Sequence, residues 1–195
     1  TVRPLARERH DMVVDARRGH TILFGGKNGS AYYDDTWAYD GFGWRRLYPT
    51  RSPEPRADHT MAYDPVRDRT VLIGGSDGQA FDDTWEWDGV MWQSATPALS
   101  PSVRYFVNDA LVFDAASSTC LLFGGTTNST ALGDTWTFDG SEWRPKLDYV
   151  TSPVNGNRYA LTPPMTWQEA EITYTSENEH TWRLWSFDFS PESPG

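Results

Sequence analysis

The chain has a single cysteine, Cys120, so no internal disulfide can brace it. That residue stands in the apolar run Cys120-Leu121-Leu122-Phe123, where a small buried side chain is expected. Long hydrophobic runs are missing as well: no stretch approaches the roughly 20 apolar residues of a membrane span, and no secretory leader is recognisable. The chain begins at Thr1 without Met, which points to processing or to a piece of a longer chain. Basic residues are in short supply, 17 Lys and Arg against 27 Asp and Glu, for a formal charge of −10. Phosphates and anionic membrane surfaces attract clustered cations, so neither nucleic acid nor a membrane is expected as a partner. The acid is spread through repeated segments such as Asp34-Asp35 and Asp82-Asp83 rather than gathered into one tail.

Aromatic residues and turn formers are abundant. Among 195 residues stand 10 Trp, 9 Tyr, 9 Phe, 16 Gly and 13 Pro, a composition that suits strands joined by tight turns better than helices packed through Leu and Ala. The length allows one sizeable core or two small ones.

Self-similarity organises most of the chain. Arg7-x-x-His10-x-Met12-x-x-Asp15 recurs as Arg56-x-x-His59-x-Met61-x-x-Asp64, a shift of 49 residues throughout. Ten residues after each Asp comes a glycine pair that ends an apolar run: Gly25-Gly26, Gly74-Gly75 and, in a third copy after Asp114, Gly124-Gly125. Then follow Asp35-Thr36-Trp37, Asp83-Thr84-Trp85 and Asp134-Thr135-Trp136, each with a second Trp seven residues later, at Trp44, Trp92 and Trp143. Asp40-Gly41, Asp88-Gly89 and Asp139-Gly140 lie between the paired Trp residues and mark short hairpin turns. Each unit parses as four short antiparallel strands. A lone sheet of this kind cannot bury both faces, so the copies must stack, with the paired Trp residues supplying packing area between neighbours. In the third copy Arg104 comes two residues early and Asp109 replaces the expected His, which predicts a bulge or an altered first strand.

These motifs resemble the kelch repeat, in particular its bacterial form, over roughly residues 4–148. The resemblance implies an all-β chain of kelch-type β-propeller blades: repeats at about 4–53, 54–101 and 102–150, with residues 151–195 a degenerate fourth blade or a truncated appendage. Asn157 to Glu171 resembles the opening of a C-type lectin domain, and Thr166 with Glu169 forms a capping box for a short helix. The cysteine pair and calcium motif of that family do not follow, so neither alternative supports sugar binding through calcium. Thr181 to Asp188 is expected to form a hairpin that echoes a third blade strand. Propeller rings of this type hold about six or seven blades, so three and a remnant leave the ring incomplete within one chain. Either the chain belongs to a longer protein or two copies complete one another through open edges as a homo-oligomer.

Blade geometry sends the connections between second and third strands, Lys27 to Asp34, Ser76 to Asp82 and Thr126 to Gly133, to one face together with the blade-to-blade linkers. These are longer and more varied than the turns on the other face, which makes them the candidate binding surface. Tyr32, Tyr33 and Phe81 are the aromatic candidates there, with packing against neighbouring loops as the alternative. Arg7, Arg56 and Arg104 correspond, by the resemblance, to arginines that contact acidic peptides in eukaryotic kelch adaptor domains; pairing with an Asp of their own fold is the other reading. His10 and His59 occupy equivalent places with no ligand cluster at metal spacing, so a backbone hydrogen bond is expected for each imidazole. Asp35, Asp83 and Asp134 are expected to cap turns. No nucleophile triad, phosphate loop, metal site or cofactor motif is present. The expectation is a noncatalytic module, bacterial and extracellular or in the cell envelope, binding protein or glycan. A self-assembling structural protein and a piece of a kelch-type enzyme are the alternatives.

Overall fold

The computed structural model describes residues 2–105, 110–127 and 130–146, together with the backbone of residues 148–151 and 158–161. Contacts divide the chain into two units, Thr1–Lys146 and Leu147–Gly195.

The first unit is an array of three four-stranded antiparallel sheets. Blade one contains β1 (Asp11–Asp15), β2 (His20–Phe24), a loop hairpin of β3 (Lys27–Asn28) and β4 (Ala31–Tyr32), then β5 (Thr36–Tyr39) and β6 (Trp44–Leu47). Its sheet order is β1-β2-β5-β6. Blade two is built from β7 (Thr60–Asp64), β8 (Arg69–Ile73), β9 (Thr84–Trp87) and β10 (Trp92–Ala95). Blade three is built from β11 (Leu111–Asp114), β12 (Thr119–Phe123), β13 (Thr135–Phe138) and β14 (Trp143–Lys146). In the second unit β15 (Asp148–Thr151) pairs antiparallel with β16 (Arg158–Leu161). The described residues contain no helix. Phe106 to Asp109, where the altered first strand is expected, lie outside the described residues, as do the capping box and the Thr181 to Asp188 hairpin.

Side chains alternate across each sheet, so every blade has one face toward the preceding blade and one toward the next. The forward face of blade one carries Ile22, Phe24 and Ala38, which pack on Met61, Leu72, Trp87 and Trp92 from the backward face of blade two. The second junction repeats this, with Ala62, Val71 and Ile73 against Leu111, Leu122, Phe138 and Trp143. Two core clusters, one per junction, thus take the place of a single central core.

Polar groups fix the junctions at both margins. The Trp92 indole N–H donates to Thr36 Oγ1 at 2.9 Å, and Trp143 donates to Thr84 Oγ1 at 2.9 Å. Toward the first strands, the Met61 backbone N–H donates to Asp11 Oδ2 at 2.6 Å and the Leu111 N–H to Thr60 Oγ1. The glycine pairs complete the seam: Gly26 N–H donates to the Arg56 carbonyl at 2.8 Å and Gly75 N–H to the Arg104 carbonyl. Gly25 has a φ of +61°, and a Cβ there would stand 2.5 Å from the Arg56 carbonyl oxygen. Both the backbone angle and the closeness of the next blade therefore require glycine.

Candidate binding face

Beneath the connections between second and third strands, each blade builds the same polar clamp. Arg7 directs Nη1 and Nη2 to the Asp35 carboxylate at 2.5 and 3.0 Å, Nη1 also to the Gly25 carbonyl, and Nε to the Leu5 carbonyl. Asp35 in turn accepts the Trp37 indole N–H at 2.6 Å. Blade two repeats every contact with Arg56, Asp83, Gly74, Glu54 and Trp85. Blade three does so with Arg104, Asp134, Gly124, Ser102 and Trp136. Arg56 and Arg104 are fully buried. A buried guanidinium must have its donors matched, and the carboxylate fork with two carbonyls does this. The candidate arginines are therefore engaged inside the fold, and their bonds to backbone carbonyls tie loop, strand end and linker together.

The three carboxylates serve as acceptors in this clamp. Turn capping falls instead to Asp40, Asp88 and Asp139, each of which accepts two backbone N–H groups of its own Asp-Gly turn. Burial opposes ionisation of Asp83, yet the Arg56 hydrogen bonds and charge and the Trp85 N–H outweigh it and hold the carboxyl below the ordinary range. Asp35 and Asp134 follow the same pattern with their own Arg and Trp.

Two of the three candidate aromatics belong to the clamp. The Arg7 guanidinium lies 4.3 Å from the Tyr33 ring centroid and that of Arg56 4.1 Å from Phe81. Leu132 takes that place in blade three, where its N–H donates to the Gly125 carbonyl as those of Tyr33 and Phe81 do to Gly26 and Gly75. Tyr32 is different: it sits on β4 with the Lys27 ammonium 5.5 Å from its ring. Next to it an open groove of about 310 Å³ is lined by Ala6, Arg7, Glu8, Lys27, Asn28 and Gly29. Glu8 and Lys27 exchange backbone hydrogen bonds at 2.9 Å, which fixes the groove floor. The β3–β4 hairpin that shapes this groove is not legible in the repeat: its counterparts in the other blades, the single bridges Ser76–Ala80 and Thr126–Ala131, share the pairing but no common residue pattern.

Neither histidine makes the expected backbone hydrogen bond. Both ring nitrogens of buried His59, and Nδ1 of half-buried His10, lack a hydrogen-bond partner. His59 instead packs edge-on against Phe24. Among the described residues, no three His, Cys, Asp or Glu side chains converge as a metal site. Cys120 is buried, and burial followed by the Asp64 charge pushes its thiol up to about 12.

Stacked four-stranded antiparallel blades with a shared clamp place the molecule among the all-β repeat proteins of β-propeller type. No family model and no curated protein matches the chain. Among solved structures it is similar to YjhT, at 16% sequence identity and a TM-score of 0.56. The similarity covers 72% of this chain and 46% of the YjhT chain, so it spans less than half of that protein.

Proposed function

We propose that the chain is a noncatalytic binding module of the kelch type, with the connections between second and third blade strands contacting a protein or glycan. The repeat motifs carry the kelch reading, and the likeness to YjhT supports the bladed fold. One observation carries the binding reading: exposed loop tips stand on a base immobilised by buried ion pairs. Asn28, Gly29 and Ser30 in blade one, and Asp77, Gly78 and Gln79 in blade two, are exposed directly above the clamps. Pre-organised loops of differing sequence on a rigid frame bind with little ordering cost.

The division of labour among the aromatics gives the test. Glycan and peptide arrays would identify a ligand, and Tyr32→Ala should weaken its binding about tenfold or more while the melting temperature stays within a degree or two. Phe81→Ala should instead lower the melting temperature, because it uncovers the buried Arg56. If Tyr32→Ala leaves binding intact, the groove beside β4 is not the contact surface.

A further inference from the structure

Two connections at the same place in successive blades differ in how their tips are held. In blade two Ser76 Oγ accepts the Gly78 N–H at 2.9 Å, and Asp77 Oδ1 accepts the Gln79 N–H at 3.0 Å. The positions 49 residues earlier are Lys27, Asn28, Gly29 and Ser30. Lys27 has no side-chain acceptor to offer where Ser76 has one, and among the described residues nothing bonds the Asn28 carboxamide or the Gly29 N–H. Asn28, Gly29 and Ser30 are exposed, and the space a Cβ at Gly29 would enter is open. Gly29 has a φ of +58° and Ser30 has no positive φ, so the two form a turn of the II′ kind that closes the Asn28–Ala31 and Lys27–Tyr32 pairs. The turn that shapes the groove therefore sets a glycine directly after an asparagine whose side chain is unheld.

We propose that Asn28 is a self-modification site, whose spontaneous deamidation rewrites the charge and backbone of the candidate groove while the blade frame stays intact. The Gly29 backbone nitrogen loses its proton and attacks the Asn28 side-chain carbonyl carbon; the bond from that carbon to the amide nitrogen breaks, and ammonia leaves. Water then opens the cyclic imide at either carbonyl. One opening leaves aspartate, the other isoaspartate, in which the main chain runs through the former side-chain methylene. No oxidant or cofactor takes part. Glycine favours the closure because no Cβ hinders its nitrogen, and an exposed hairpin of two pairs opens readily. Blade two is shielded twice over: Asp77 presents a carboxylate, a far poorer electrophile than a carboxamide, and the Gly78 N–H is already engaged.

Either product adds a negative charge to a groove that Arg7, Glu8 and Lys27 line together with Asn28 and Gly29. Isoaspartate also lengthens the main chain within the two-pair ladder, so its register and the placement of Lys27 over the Tyr32 ring are lost. The Arg7 clamp beneath makes no use of Asn28 and persists. The consequence for binding rests on the reading of this groove as the contact surface; the chemistry does not.

The test is to age the folded chain at mildly alkaline pH and to follow the Arg-specific peptide Gly19–Arg45, in which Asn28 is the sole asparagine. Its mass should rise by about 1 Da, with isoaspartate identified by fragmentation. The rate should increase with pH and lie within about tenfold of that in the urea-unfolded chain. Lys27→Ser, which supplies the blade-two acceptor for the Gly29 N–H, should slow it about tenfold or more, and the melting temperature of the aged protein should stay within about two degrees of the fresh one. A folded rate more than about tenfold below the unfolded one overturns the proposal, because the hairpin would then protect Asn28. Lys27→Ser ageing as fast as the parent overturns it too, since the unheld N–H would not be the cause, and a larger fall in melting temperature would refute the confinement to the groove. Asn155-Gly156, outside the described residues, falls in a different peptide and does not enter the reading. None of these measurements uses a ligand, so the binding proposal stands or falls separately.

Discussion

A guanidinium removed from water is costly unless its N–H groups are matched, and Arg56 meets that demand with a carboxylate and two carbonyls. His59, a few residues on, does not: its imidazole is buried with no hydrogen-bond partner. Burial first, then the positive charges of Arg56 and His10, lower its pKa from 6.5 to about 3; the Phe24 backbone opposes this but does not reach hydrogen-bond geometry. The folded state therefore keeps His59 neutral while the unfolded chain takes up a proton below pH 6.5. The unfolded state binds more protons, so stability falls with acidification from 6.5 toward 3, by up to about 1.4 kcal/mol per pH unit. His10, lowered by burial and then by the Arg7 charge, acts in the same direction. Asp35, Asp83 and Asp134 add their own loss only as pH falls below their ordinary value of 3.8. Urea midpoints measured from neutral pH to about 4.5 should consequently decline with a slope that His59→Asn flattens markedly. Parallel declines in the two proteins would assign the acid sensitivity to other groups.

At the scale of the strand and blade, the sequence carried the four-strand parse because its landmarks report local geometry. The Asp-Gly turns need a positive φ, which Gly41, Gly89 and Gly140 adopt, and the first glycines of the first two pairs, Gly25 and Gly74, sit where the next blade's backbone approaches closely. The contact from Trp85 to Asp83, two positions apart, is local too, yet the sequence pointed to turn capping for that Asp, because an Asp before Thr-Trp reads equally as a turn residue. Less legible was the partner of the second Trp in each unit. Trp143 reaches Thr84 across 59 residues, and nothing near either position signals the bond. Recurrence of Arg and Asp in all three units hinted at a pair, but only folded proximity distinguishes a clamp from a ligand site. The Trp–Thr bond gives the second prediction. Thr84→Val keeps the shape and leaves a buried indole N–H without an acceptor, which should destabilise by about 1–3 kcal/mol. Thr84→Ser, which restores the hydroxyl, should recover most of that loss in chemical denaturation. Equal losses in the two variants would mean that methyl packing, not the hydrogen bond, holds the junction.

For the blade array as a whole, stability is shared between neighbours and falls off at its ends, because each sheet draws its core from the adjoining one. Blade two is covered on both faces: Val71, Leu72 and Ile73 are all buried. Blade three is covered on its backward face by the second junction, but Val112 and Phe123 on its forward face are exposed. Opening blade three therefore breaks one junction, whereas opening blade two breaks both. Amide exchange should follow this order, with β8 and β9 slowest and β12 and β13 faster by about tenfold or more in dilute solution. Exchange that is uniform across the three blades would instead require the array to open only as a whole, with its end no weaker than its middle.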